Sequence, residues 1–411
     1  MPLGAEKAAL MGAASGGASQ YFGDGSLGNC QFGASAITQT GETVAIDTVL
    51  STGSESGGPG SNSYGSQVSC PTAIYETTVL NKSGSYDGDM WVGNFKDLTI
   101  DASVCLTTDQ PNRGMLIYVD GDCSISGVLS MTSRGGNGDP TASGGSDSSA
   151  VSSTGIRLPM LTASGTDTLA DADFAGCGDA AVAAVENQVG ISGDGTIFTI
   201  NRAGAAGASG CSTGCCGNCT SGAGSAGAGS GSAIETAGGG GGGGRQVDSG
   251  TSTAGSGATG TCFSGGGGGG GAAGSTTVTA GSAGANGGGG GGGATAGPGY
   301  GSSKGGGGAG NPGGSSGGYT NGQSGIGGLL ILVVSGDLTI GGFLRSVGTT
   351  GGTGYDSGGG NHGGGSGGGA IMVLYGGTYS LTGGIEVEGG SSGTNAGDGG
   401  AGQSHVAQVS T

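Results

Sequence analysis

The sequence predicts a mainly β fold: β-solenoid-like stacked strand repeats, interrupted by a large glycine-rich insertion that forms polyglycine-II helices. Two observations carry this, an internal repeat of strand-like segments and a set of equal glycine runs. The four residues Asp97, Leu98, Thr99 and Ile100 recur identically as Asp337, Leu338, Thr339 and Ile340. A longer unit aligns three times, as GMLIYVDGDCSISGVLSM (114–131), GLLILVVSGDLTIGGFLRSV (328–347) and GAIMVLYGGTYSLTGGIEV (369–387). Repeats of one strand-bearing unit indicate rungs that cannot bury their apolar face alone and stack to do so.

Composition sets the frame. With 411 residues the chain could hold two or three domains, yet only 9% of residues are charged and 33% hydrophobic, both below the usual shares of ~25% and ~45–50%. A core must therefore be narrow or repeated along an axis. The net charge of −18 argues against binding a phosphate backbone and keeps a glycine-rich surface soluble.

In chain order, residues 5–14 read as a short helix, within an expected docking arm and Ser/Gly-rich linker over residues 1–70. The β core begins at 71–136, with a weakly alternating strand over 73–80. In each repeat the first strand is apolar on both faces, as in 115–119, 329–334 and 371–375, which marks burial on both sides. The second strand alternates, pointing Cys123 and Ile125, Leu338 and Ile340, or Tyr379 and Leu381 inward past Ser and Thr. After Gly127, Gly342 or Gly383 a third short strand follows, in the last copy with Ile385 and Val387 set between Glu386 and Glu388.

The insertion spans 137–327, and the second part of the β core is 328–411. The insertion has a predicted helix over 180–189, with Asp179 as N-cap and Gly190 after it. A strand follows over 196–200. Three runs of seven glycines, 238–244, 265–271 and 287–293, and a shorter one at 305–308, come next. Each glycine costs roughly 0.5–1 kcal/mol more to order than alanine, so an ordered run needs a geometry only glycine permits. The polyglycine-II helix has about 3.1 Å rise per residue, which makes seven residues a rod of roughly 22 Å. Such rods pack side by side because no Cβ intervenes. A flexible linker is the alternative for a chain with 113 Gly and 8 Pro.

Candidate chemistry is sparse. Cys211, Cys215, Cys216 and Cys219 are candidate disulfide partners; free thiols and a four-thiolate metal site are the alternatives. The ten cysteines are enough for five bridges. His362 and His405 have no nucleophile motif beside them, which argues against a Ser-His-Asp site. Glu386 and Glu388 share a strand face at roughly 6.6 Å, near glycosidase separations, but read better as a solvated edge. Asp87 and Asp89 read as a turn before Trp91. No cofactor is expected. If the glycine rods lie side by side, Arg245, Phe263, Tyr300 and Lys304 gather at one end as candidate receptor-binding residues.

Residues 1–20 lack an apolar core of signal-peptide length, and the longest apolar run is too short to span a bilayer. Low charge and many cysteines nevertheless look extracellular. A particle made in the host cytoplasm and released by lysis reconciles the two, which points to a virion. The glycine runs, the repeats of the type GLLILVVSGDLTIGG and the opening MPLGAEKAALMGAA followed by YFGDGS together resemble glycine-rich tail-fibre or adhesin proteins of tailed bacteriophages. Residues 84–127 look particularly like a module of aquatic phage structural proteins. The polyglycine-II sandwich of T-even-like tip adhesins is the nearest analogue, from which this chain departs in its long strand repeats and many cysteines.

The resemblance implies a non-enzymatic fibre or adhesin that contacts the host surface. A capsid fibre or decoration protein is the alternative, and a polysaccharide-degrading spike a third. Implied partners are other virion proteins through the N-terminal region and a host glycan or outer-membrane protein, without nucleic acid or membrane insertion. Self-association is left open.

Overall fold

The computed structural model describes residues 22–52, 73–79, 91–110, 112, 114–135, 257, 260, 265–269, 325–352, 363–392 and 396–408. Four strands come first: β1 (Asn29–Phe32), β2 (Ile37–Thr40), β3 (Thr48–Thr52) and β4 (Ala73–Thr77). From β5 onward the chain visits three sheets in strict rotation. β5 (Trp91–Phe95), β6 (Asp97–Ile100) and β7 (Val104–Thr108) make one rung. The next rungs are β8 (Met115–Val119), β9 (Cys123–Ile125) and β10 (Val128–Ser130), then β11 (Leu329–Val334), β12 (Leu338–Ile340) and β13 (Phe343–Arg345). A last full rung, β14 (Ala370–Tyr375), β15 (Tyr379–Leu381) and β16 (Gly384–Glu386), is followed by β17 (Gln403–Gln408).

The sheets are ordered β5-β8-β11-β14-β17, β2-β1-β6-β9-β12-β15 and β3-β4-β7-β10-β13-β16. Among the described residues every pairing between rungs is parallel, and only β1–β2 and β3–β4 are antiparallel. Across the insertion the register is kept, since Met115 to Val119 pair with Leu330 to Val334.

This register puts like residues in rows. Cys30, Leu98, Cys123, Leu338 and Tyr379 are successive partners in the second sheet, as are Phe32, Ile100, Ile125, Ile340 and Leu381. In the third sheet the inward row is Tyr75, Leu106, Leu129, Leu344 and Ile385. With the exception of Leu381 they join Met115, Ile117, Val119, Leu330, Leu332, Val334, Ile371 and Val373 of the first sheet in one continuous apolar cluster. Each fully buried aliphatic or aromatic side chain contributes roughly 1.5–3 kcal/mol, so the narrow core gains length by repetition. At its β1 end the cluster holds Phe32, whose ring meets Tyr75 edge-on at 5.3 Å and Phe95 at 6.4 Å.

The two-sided apolar strands behave as their sequences demand. Every residue of β8 and β11 is buried, and all of β14 except Tyr375. The second sheet shows one apolar and one polar face, with Leu338 and Ile340 buried around an exposed Thr339.

Two backbone arrangements require glycine. At the corner after the second strand, the N–H groups of Gly127, Gly342 and Gly383 donate to Ile100, Ile125 and Ile340 carbonyls at 3.2, 2.8 and 3.1 Å. A Cβ on Gly342 would run into the Gly127 carbonyl oxygen, and one on Gly383 into that of Gly342. The second arrangement is a buried glycine layer. Gly364 and Gly367 donate to Gly269 and Gly266 at 2.9 and 2.8 Å, and Gly365 and Gly368 donate to Gly397 and Gly400 at 3.0 Å. Ser366 donates to Thr349 at 2.9 Å, Gly390 donates to Ser366 at 2.8 Å, and Gly327 donates to Gly367 at 3.4 Å. The segment 363–369 thus bonds to neighbours on several sides, where a sheet strand has only two.

The structure departs from the sequence reading in three ways. Residues 29–52, placed in the arm and linker, supply β1, β2 and β3 of the sheets. The segment is Ser/Thr-rich, yet Cys30 and Phe32 alternate inward. Leu381, expected inside, lies on the core row but is exposed, because among the described residues no second-sheet strand follows β15. The third departure is in the glycines: among the described residues the layer is assembled largely from 346–352, 363–369, 389–392 and 396–400, with 265–269 the described part of the seven-residue runs. The helices expected at 5–14 and 180–189, the strand at 196–200, and runs 238–244, 287–293 and 305–308 lie outside the described residues.

Two outcomes are expected. Gly342→Ala should lower stability by about 1–3 kcal/mol through overpacking, whereas Thr339→Ala on the exposed face should stay within about 0.5 kcal/mol. Urea titration of both variants measures this. A chain starting at Pro71 should lose cooperative unfolding, because it lacks the Phe32 row and both antiparallel end strands; calorimetry reads the missing transition.

Candidate functional site

The polar surface is built on one repeated corner. An aspartate at the start of β6 and just before β9 and β12 points a carboxylate up the stack. Asp122 N–H donates to Asp97 Oδ1 at 2.9 Å, Asp337 N–H to Asp122 Oδ1 at 2.8 Å, and Thr378 N–H to Asp337 Oδ1 at 2.7 Å. Each aspartate therefore accepts from the backbone of the following rung, a charge-assisted bond that fixes rung spacing. At the first step Lys96 Nζ meets Asp120 Oδ2 at 2.6 Å. Beside this edge the outer face of the second sheet carries Gln31, Thr99, Ser124, Thr339 and Ser380 in one register row. Thr339 and Ser380 are exposed and Thr99 and Ser124 half-buried, so this face offers hydroxyls to solvent at the interstrand spacing of roughly 4.8 Å.

The third sheet carries its charges in pairs. Arg134 is fully buried where the chain leaves β10; its Nε donates to the Thr108 carbonyl at 2.7 Å and its Nη2 to Glu76 Oε1 at 3.1 Å. Burial pushes the Glu76 carboxyl above its ordinary range, against the pull of Arg134 and with a smaller push from Asp109. Arg345, also buried, donates from Nε to Glu386 Oε2 at 2.6 Å and lies 4.4 Å over the Phe343 ring. Removing one partner of such a pair typically costs 3–5 kcal/mol.

Among the described residues no three of His, Cys, Asp and Glu gather at metal-binding distance. Glu386 and Glu388, weighed as a carboxylate pair, take different roles: Glu386 neutralises Arg345, and Glu388 is exposed. His405 sits on β17, where burial lowers its pKa. Cys30 and Cys123 are buried thiols in one core row. The ten cysteines are therefore not joined in five bridges. Burial, aided by Glu42, raises Cys30 to about 11, and burial with Asp122 raises Cys123 further, so both are protonated and inert at neutral pH.

Arg245, Phe263, Tyr300 and Lys304 lie outside the described residues, as do Cys211, Cys215, Cys216, Cys219, His362, Asp87 and Asp89. The aspartate ladder was missed as a set, although its signal was present: an Asp precedes the second strand in DLTI, GDCSI and GDLTI. Comparison with family models, with curated proteins and with solved structures gave no match.

The thiol assignment has a direct check. In the native chain at pH 8, iodoacetamide should leave Cys30 and Cys123 unlabelled over hours and modify both within minutes in denaturant, as read by peptide mass mapping.

Proposed function

We propose that this chain is a non-enzymatic structural protein of a tailed-phage virion, a fibre or adhesin that contacts the host surface. The observation that carries the reading is that one rung is repeated in register to build length instead of a broad core. Such a stack suits a rigid projection, and its acid ladder and hydroxyl row suit a solvated shaft. With this goes a finer reading of the fold, a β-solenoid-like stack whose glycine excursions pack as polyglycine-II rods. It is supported by the many-sided hydrogen bonding of residues 363–369, which two-neighbour strand pairing does not produce.

Antibody raised against the full chain should decorate the fibres of tailed particles in lysates from the producing host, seen by gold labelling in electron micrographs. Label on the head would move the protein to a capsid fibre or decoration role. Absence of the chain from purified particles would overturn the virion reading. Incubated with host envelope polysaccharide, the pure protein should release no new reducing ends.

A further inference from the structure

The two ends of the stack are unlike, and they match each other. At the β2/β3 end the second and third sheets run past the first. β2 and β3 are their terminal strands, whereas the first sheet stops at β5. Over β5 lies the segment before β1, where Leu27 N–H donates to Asn94 O and Lys96 N–H donates to Gly28 O, both at 2.8 Å. Among the described residues nothing in the first sheet stands level with β2 and β3. At the other end the relation is reversed: β17 extends the first sheet one strand beyond β15 and β16. Among the described residues one end therefore has a one-strand recess in the first sheet, and the other has a one-strand step.

The apolar surface follows the same division. The exposed large hydrophobics among the described residues are Val44 (38%), Val49 (57%), Leu50 (38%) and Leu381 (43%). Val44, Val49 and Leu50 belong to the β2/β3 end, where residues 41–47 cross between the two strands. Leu381 ends a core row at the opposite end, where Tyr375 and Tyr379 stack at 5.1 Å. Leu50 faces Tyr75 across β3–β4, so it too continues a core row with no described strand beyond it.

We propose that the two ends bind each other in successive copies of this chain, head to tail. In that arrangement β15 meets β2 and β16 meets β3 of the next copy, while β17 fills the recess level with them. Because β2 and β3 run opposite to the strands they pair with, both new junctions are antiparallel, the more stable kind. A two-fold contact of β17 on β17 fits less well, since the steps would hold the other two sheets apart. The contact is small: β15 and β16 have 3 residues each and β17 has 6, which places it below about 1,200 Å², the range of reversible association. A charge of −18 per copy opposes stacking, so salt favours it by screening. The inference does not depend on the proposed virion role.

Sedimentation velocity of the full chain over a concentration series, at low and at 0.5 M (about) salt, tests it. Species growing past dimer, more at high salt, are expected. Leu381→Lys or Val49→Lys alone should raise the half-association concentration about tenfold or more, equal to about 1.4 kcal/mol. The two variants mixed should form a one-to-one dimer through the intact ends that remain. A monomer at every concentration overturns the proposal. So does a Val49→Lys chain that still dimerises while the mixture forms nothing new, which is the signature of the two-fold contact. Melting curves of the variants confirm that they are folded, and the parent chain alone decides the matter if they are not.

Discussion

The stack depends on backbone approaching backbone where the chain turns. Parallel strands repeat at roughly 4.8 Å, and a rung that closes within that height has no room for a Cβ at its corners. Gly127, Gly342 and Gly383 meet this condition by donating to the second-sheet strand of the preceding rung while lying against its corner carbonyls. The same constraint, applied on every side, gives the layer around residues 363–369. Glycine's entropic penalty is offset there by hydrogen bonds that no larger residue could reach.

Polar groups are handled by the same repetition. An aspartate at the corner satisfies an N–H of the following rung, so the ladder Asp97, Asp122, Asp337 locks axial register as the apolar rows lock lateral register. Where arginine enters the interior it brings its own glutamate, Arg134 with Glu76 and Arg345 with Glu386. These pairs are neutral as units and stand on the outer side of the third sheet, away from the core rows.

Much of the fold was legible because the repeat preserved side-chain periodicity. Two-sided apolar strands such as LLILVV, and alternating ones such as DLTI, stand where their patterns place them. The β1–β3 segment was not legible, since NCQF, ITQT and TVLST carry few apolar residues and owe their strand state to pairing with neighbours. Which core row would be left open also lay beyond the sequence: Leu381 has the same local pattern as Ile340, and only the absence of a further second-sheet strand among the described residues separates them. The site was less legible than the fold, because the aspartates act through stacking, a relation between residues as far apart as 122 and 337.

The chain departs after β10 and rejoins at β11 through a clamped junction: Gly328 N–H donates to the Met131 carbonyl and Gly135 N–H to that of Ile326, each at 3.0 Å. Departure and return are thus stitched together through buried backbone, and β8–β11 pairing keeps its register across the insertion. Closing a longer loop costs only about 0.6 kcal/mol per doubling of its length. Such a junction is a natural splice point: the loop beyond it can change in length and content, by recombination or by design, so long as residues 265–269 remain to take the bonds that Gly364 and Gly367 donate.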